Sequence, residues 1–342
     1  MTQDVVVIGA GSWGTALASV CATNQHQVTL WVRDPQVANE MNTRHTNEKY
    51  LPSIQLPSNI YAETDIRKAV EGKKNVLMVV PSHAMREVAH QISPFLSDDT
   101  LLIHATKGFE LDTLKRMSEV ITEEVSPEVA KGLVVLTGPS HAEEVVRKSP
   151  TTIVVASDSN EHAALAQDLL MSSTFRVYAN PDMIGAEIAG SLKNIIALGA
   201  GMSDGLGFGD NAKAALLTRG LAEIGRLGVK MGANPLTFAG LAGVGDLVAT
   251  CTSKHSRNWR AGYMLGQGQD LDTVLKQIGM VVEGVRTTKA AHALALKEQV
   301  EMPITHVLYS VLFEGLNPRQ GVEDLMGRGR RFEMEDIISY QI

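Results

Sequence analysis

The sequence predicts a doubly wound α/β sheet over residues 1–180 followed by an all-α domain over residues 181–342. Three observations carry that reading. Near-continuous apolar strands alternate with helical patterns up to about residue 180, as in a parallel sheet covered on both faces. The first strand runs directly into a glycine turn and a helix. After Asn180-Pro181 the strand patterns stop and helices dominate, and a proline disfavours continuation of the element before it.

The elements follow in order. Residues 5–8 form an apolar strand that enters Gly9-Ala10-Gly11-Ser12-Trp13-Gly14, then a helical pattern from Thr15 to Asn24. A second strand, 28–32, ends at Arg33-Asp34. GxGxxG between a strand and a helix has a mechanical meaning. Gly9 makes the tight turn, Gly11 lets backbone approach a pyrophosphate, and Gly14 lets the helix pack close to the sheet. Phosphates then meet the N–H groups and dipole of the helix start. The motif therefore predicts a Rossmann-like dinucleotide site, against the plainer alternative of an ordinary strand–helix turn. Arg33 suits the 2′-phosphate of NADP(H), and Asp34 beside it leaves NAD(H) acceptable; the alternative for Arg33 is a solvated surface arginine. Strands over 75–80, 100–105 and 133–136 are separated by helices over 85–95 and 113–125. Strands over 151–156 and 175–178 flank a helix over 161–171 and extend the sheet. Polar residues stand at the carboxyl ends of these strands: Ser12, Arg33, Ser82, Lys107 and Ser140. That edge is where open α/β sheets collect ligands.

Helices are predicted over 182–201, 211–231, 285–297 and 303–313. The first is apolar except for Lys193, a charge that burial penalises unless something pairs with it. Ala186, Gly190, Ala197 and Ala200 share its face at the α-helical period. Such a face is either a tight helix contact or the floor of a pocket with one functional group standing on it. Two further clusters are candidates for chemistry. In Gly243-Val244-Gly245-Asp246, Thr250 lies one turn beyond the aspartate. In the stretch from Thr252 to Arg260, Ser256 reads as an N-cap that places Arg257 and Asn258 in a helix first turn. That is a ready phosphate site, or else a plain capped helix with solvated arginines. Segments 201–209 and 252–256 are expected to be mobile enough to close over a ligand.

The chain of 342 residues carries a net charge of −7 without a basic run, which argues against nucleic acid as a partner. Cys21 and Cys251 lie in apolar contexts and are expected as buried thiols of a cytoplasmic protein. No secretory signal and no membrane span are expected. His83, His104 and His141 lack partners at ligand spacing, so they read as structural and no metal is expected. Ser140-His141 is not a nucleophile–base pair, because neighbours in sequence do not face each other on a helix and no G-x-S-x-G elbow is present. The mixed-charge tail from Gly327 to Ile342 reads as a solvated end without function.

The sequence resembles the bacterial NAD(P)-dependent sn-glycerol-3-phosphate dehydrogenase family over nearly its whole length, from the Gly9–Gly14 turn to Met280-Val281-Val282-Glu283-Gly284. The 190–211 stretch reads like the family signature, with Ser191 where alanine or threonine is usual. Ala105–Gly108, Gly138–Ala142, Gly243–Asp246 and Ser256–Asn258 also match. The resemblance implies cofactor contacts at Ser12, Trp13, Arg33, Tyr50, Ala142, Val281 and Glu283. It implies that Lys107 touches both cofactor and substrate, that Gly138, Ser140, Asp246, Ser256 and Asn258 hold the substrate, and that Arg257 bridges the two. Lys193 would be the proton acceptor. It further implies a homodimer, a small phosphorylated substrate, and a product that feeds phospholipid synthesis. A lysine titrates at about 10.4, too high for a base at neutral pH. Desolvation, Lys107 and a positive nicotinamide would lower it, whereas Asp246 would oppose them if it paired directly, so Asp246 is expected to orient. Two alternatives are a dehydrogenase of β-hydroxyacids or sugar acids, and a non-catalytic NADP sensor.

Overall fold

The computed structural model of the chain describes residues 2–330. The last residues of the mixed-charge tail, 331–342, lie outside that range. Two compact units are present. One comprises the chain up to Thr106 together with Met117–Met183; the other comprises Lys107–Arg116 and the chain from Ile184 onward. The division therefore falls after Met183 and not at residue 180, and a short excursion between two sheet elements belongs to the helical unit.

The sheet unit runs β1 (Asp4–Ile8), α1 (Ser12–Thr23), β2 (Gln27–Trp31), α2 (Pro35–Arg44), β3 (Ile60–Glu63), α3 (Ile66–Val70), β4 (Asn75–Met78), α4 (Met85–Ile92), β5 (Leu101–His104), α5 (Met117–Glu124), α6 (Pro127–Lys131), β6 (Val134–Thr137), α7 (Ala142–Val145), β7 (Thr151–Ala156), α8 (Asn160–Leu170) and β8 (Phe175–Asn180). The strand order is β3-β2-β1-β4-β5-β6-β7-β8, and the order reverses direction at β1. Every pairing is parallel except β6 with β7. The apolar strands make sense of this architecture. Val5, Val7, Val28 and Leu30 pack into one core and Val6, Ile8, Val76 and Met78 into another, so each central strand is buried on both faces. The register sets Ile8 beside Trp31 and Met78, and Met78 beside His104, which aligns the carboxyl ends along one edge. Strand β3 escaped the sequence reading because it is short and alternates, with Tyr61 exposed. The helix expected over 113–125 starts only at Met117, since the preceding residues turn back on themselves through a Phe109–Arg116 bridge.

The helical unit holds α9 (Met183–Gly205), α10 (Asp210–Lys230), α11 (Asp246–Thr252), α12 (Arg257–Gly266), α13 (Leu271–Ile278), α14 (Glu283–Glu298), α15 (Pro303–Phe313) and α16 (Pro318–Met326). α9 is apolar on all sides and is the core helix of its unit, buried from Gly185 to Ser203. By length and composition it could cross a membrane, but 89% of its apolar window is buried inside the protein, as a core helix requires. It also runs further than the glycine-rich sequence suggested. Residues 201–205 are helical, and Asp204 ties the end down by accepting from Trp259 Nε1 at 2.8 Å and pairing with Lys213 at 2.9 Å. The first half of the 201–209 segment therefore continues α9. The glycines there serve close packing. A Cβ on Gly201 would lie 1.9 Å from the Trp259 carbonyl oxygen, and one on Gly262 1.9 Å from that of Leu198, so α9 and α12 approach closely only because both positions are bare.

Candidate functional site

The helical unit gathers Lys193, Asp246, Thr250 and Lys107 into one cluster, buried but for the partly exposed Lys107. α9 delivers Lys193, which is 5% exposed. A π-helical turn, Leu241–Gly245, delivers Asp246 at the start of α11. Glycine permits that turn, because a Cβ on Gly243 would lie 2.0 Å from the Phe238 carbonyl oxygen. Lys193 Nζ donates to Asp246 Oδ1 and to Thr250 Oγ1 at 2.6 Å. Lys107 Nζ takes the other carboxylate oxygen, Oδ2, at 2.9 Å. Thr250 in turn donates to the Asp246 carbonyl oxygen, the i−4 pattern of its own helix, so its hydroxyl oxygen is aimed at the lysine.

The electrostatics follow from burial and the two-to-one count of charges. The Lys193 pKa falls from 10.5 to about 7: desolvation drives it down, the Asp246 carboxylate takes back part of that, and the Lys107 ammonium lowers it further. Asp246 was expected to orient Lys193 without a direct pair, yet it pairs directly, and burial still outweighs it. Burial alone would raise Asp246, but the ammoniums of Lys107 and Lys193 outweigh that and hold it below 3.8. The result is an ionised carboxylate that carries a lysine able to exchange a proton near neutral pH.

Asn194 was missed from the sequence, although its signal was the same as that of Lys193: a polar residue, 5% exposed, in an apolar helix. Its Oδ1 accepts from Asn258 Nδ2 at 2.8 Å, and Asn258 Oδ1 accepts from the Gly284 N–H at the start of α14 at 2.8 Å. Asn258 therefore reaches α9 through Asn194, beside Lys193 in sequence. Ser256 caps α12 as expected, accepting from the Trp259 N–H at 3.2 Å, which puts half-buried Arg257 and buried Asn258 in the first turn. Val281 is exposed, and Glu283 opens α14.

In the sheet unit the glycine turn fits a dinucleotide. Gly9 has φ of +114°, and a Cβ there would lie 2.5 Å from the Val79 carbonyl oxygen; one on Gly14 would lie 1.8 Å from that of Gly9. A Cβ on Gly11 would meet nothing within 4 Å, so open space stands before it. No side chain caps the start of α1, and no acid occupies its first turn. That leaves backbone donors and a dipole facing the space, as a phosphate needs. Ser12 Oγ donates to the Tyr50 carbonyl oxygen at 2.9 Å, which brings those two predicted positions together; Trp13 packs against the core. Asn47, also missed, buttresses the turn by donating to the Ala10 carbonyl oxygen at 3.0 Å and to Thr15 Oγ1 at 2.9 Å. Arg33 is exposed. Asp34 caps α2 through the Gln36 N–H at 3.0 Å and pairs with Lys49 at the surface. At the end of β6, Ser140 Oγ donates to the Gly138 carbonyl oxygen at 2.9 Å, and Ala142 is buried at the start of α7. Among the described residues there is no cluster of three or more potential metal ligands, and Cys21 and Cys251 are buried thiols.

Comparison with known proteins points one way. The sequence profile described as NAD-dependent glycerol-3-phosphate dehydrogenase N-terminus matches residues 4–163, and its C-terminus counterpart matches residues 182–323. The glycerol-3-phosphate dehydrogenase [NAD(P)+] of Geobacillus thermodenitrificans is 57% identical over 338 residues, covering 98% of each chain. That of Bacillus licheniformis is 55% identical, covering 98% of this chain and 97% of the other. The crystal structure of the glycerol-3-phosphate dehydrogenase from Coxiella burnetii superposes with a TM-score of 0.91 at 40% identity, covering 96% of this chain and 99% of that one.

Proposed function

Because the chain belongs to the NAD-dependent glycerol-3-phosphate dehydrogenase family, we propose that it interconverts sn-glycerol 3-phosphate and dihydroxyacetone phosphate, using NADP(H) or NAD(H). The observation that carries the reading is the Lys193–Asp246–Lys107 cluster. It is a proton-exchanging group held by one carboxylate and biased by a second ammonium. Oxidising a secondary alcohol requires transfer of a hydride and removal of the hydroxyl proton. A bound nicotinamide supplies the hydride chemistry, and the protein supplies orientation and a base.

Neutral Lys193 takes the hydroxyl proton in oxidation, and protonated Lys193 returns it to the ketone oxygen in reduction. Asp246 holds the amine in place through both states, and Thr250 fixes its second hydrogen bond. Lys107 contributes its charge to substrate and cofactor while lowering the proton affinity of Lys193. Arg257, with the helix start at Ser256 and Asn258, anchors the substrate phosphate, an arrangement that favours dianions over β-hydroxyacids. Gly138 and Ser140 complete the substrate contacts. Gly9, Gly11 and Gly14 with Ser12, Trp13 and Tyr50 hold the dinucleotide, with Ala142, Val281 and Glu283 as further contacts. At the ribose end Arg33 would favour a 2′-phosphate, and Asp34 beside it leaves NAD(H) acceptable.

Glycerol 3-phosphate made in the reductive direction would enter phospholipid synthesis in the cytoplasm. The family resemblance carries a homodimer with it, which sedimentation in solution tests. The reaction itself is tested by mixing the protein with NADPH and dihydroxyacetone phosphate. A fall in reduced-nicotinamide absorbance is expected. No fall with this ketone, or equal rates with β-ketoacids lacking a phosphate, would sink the reading.

A further inference from the structure

Lys107 biases Lys193, so whatever holds Lys107 also helps set the proton affinity of the base. Lys107 opens the Lys107–Arg116 excursion, whose two ends are both tied to α9. At the near end the Gly108 N–H donates to Ser191 Oγ at 2.7 Å, and the Ser191 hydroxyl faces the Gly108 carbonyl oxygen at 3.4 Å. At the far end Arg116 Nη1 pairs with Glu187 Oε2 at 2.5 Å, with both side chains almost buried. Glu187 and Ser191 stand one turn apart on one face of α9, and Ser191 is two residues before Lys193. Ser191 is 2% exposed in an apolar helix, where a hydroxyl without a partner is costly. It spends its hydrogen bonds on the peptide that follows Lys107.

Building on the reaction proposed above, we propose that Ser191, at a position where the family signature has alanine or threonine, is a positioning residue of this chain: its hydroxyl fixes the Gly108 peptide, holds the Lys107 ammonium on Asp246, and so tunes the pH range over which Lys193 serves as the base. The groups around Lys193 are Asp246, Thr250 and Cys251 from α11 and Lys107 from the excursion, with Lys213 of α10 bearing on Cys251. Of those facing it, Asp246 stabilises the ammonium form and Lys107 opposes it. Asp246 shares its two oxygens between the two lysines. If Lys107 loosens, both effects move the same way. Repulsion on the Lys193 ammonium falls, and the carboxylate is left to Lys193 alone. The base then holds its proton to higher pH.

Replacing Ser191 by alanine removes one buried oxygen and leaves the Gly108 N–H without its acceptor, which displaces the peptide. Two measurements read the consequence. One is the pH midpoint for reaction of Lys193 with a small amine-selective reagent in the cofactor-free protein, followed by peptide mass spectrometry. The other is the acid limb of kcat/KM for glycerol 3-phosphate oxidation. Ser191→Ala is expected to move both midpoints to higher pH by about 0.5 unit or more. Ser191→Cys, similar in size with a weak acceptor, should do the same, and Ser191→Thr, which keeps the hydroxyl, should restore the original midpoints. Unmoved midpoints in both the alanine and cysteine variants overturn the proposal, as does a shift that threonine fails to undo, since that would be a packing effect. The labelling midpoint needs no substrate. If the unaltered protein does not turn over glycerol 3-phosphate, the reaction fails while the role of Ser191 is still read.

Discussion

Two carboxylates in the helical unit are equally hidden and opposite in behaviour. Asp246 and Glu223 are each 1% exposed. Asp246 meets two ammoniums and stays ionised. Glu223, on α10, meets the opening of α15: it accepts the Ile304 N–H at 2.6 Å, and the Thr305 N–H and hydroxyl each at 3.2 Å. Its carboxyl is raised from 4.5 to about 7: burial drives it up, and those donors together with the Arg226 charge offset only part of that. Burial of an acid is therefore not in itself a mark of chemistry. The partners decide. Backbone N–H groups at a helix start make a carboxyl into a cap, whereas two lysines on one carboxylate make an assembly whose proton can move.

The largest effect that can break this contrast is expected at the lysine. Lys193→Met keeps the length of the side chain and removes its proton chemistry, while Asp246 retains Lys107. Turnover should fall by about 10²- to 10⁴-fold, the usual contribution of a general acid–base group. The acid limb of the oxidation profile should vanish with it, because oxidation needs the neutral amine and so rises with pH through the Lys193 pKa of about 7. Steady-state rates across pH check this, and a loss within tenfold removes Lys193 from the role. Next in size is Asp246→Asn. Without the carboxylate, burial and Lys107 act on Lys193 unopposed, so its proton affinity drops further. The acid limb should move to lower pH, opposite to the direction expected for Ser191→Ala, and turnover should fall by about 10- to 100-fold as the amine loses its anchor. An alkaline shift would mean that Asp246 does not govern the base.

The contrast also explains which parts were legible in the sequence. The glycine turn, the apolar strands and the charge of Lys193 in an apolar helix are local signals, and each led to the right element. The capping role of Ser256 was local as well. The pairing of Lys107 with Asp246 joins residues 139 apart in sequence, and no local pattern encodes that distance. The excursion that carries Lys107 reads as the end of a strand and, from residue 113, the start of a helix, yet tertiary ties at Ser191 and Glu187 assign it to the helical unit. Asp34 shows the converse: besides its place at a strand end it caps α2, a local role the sequence reading did not give it. Glu223 gave no signal at all, because a glutamate on a long helix is ordinarily a solvated one.

Glu223 supplies the two smaller tests, both on stability. Glu223→Ala leaves the Ile304 and Thr305 N–H groups buried without an acceptor and should cost about 1–3 kcal/mol in denaturant unfolding. The surviving folded protein should keep its rates at saturating substrate. A matching loss of turnover would mean that the second carboxylate is tied to the chemistry after all.

The smallest effect is the most discriminating. Glu223→Gln keeps a carbonyl oxygen for the N–H groups and removes the ionisation. A carboxyl whose folded pKa lies above its unfolded value adds stability that is complete below the unfolded value, 4.5, and fades as pH rises through the folded one, about 7. Below pH 4.5 the wild-type side chain is protonated in both the folded and the unfolded chain and resembles glutamine, so the two proteins should differ by less than about 1 kcal/mol. Between pH 4.5 and about 7 the wild type alone must either hold a proton or bury a charge, so the glutamine variant should gain on it across that window and the gap should level off above it. Denaturant midpoints at three or four pH values read this directly. If the two proteins keep a constant gap across the range, Glu223 is ionised throughout as Asp246 is, and the distinction between the two carboxylates collapses.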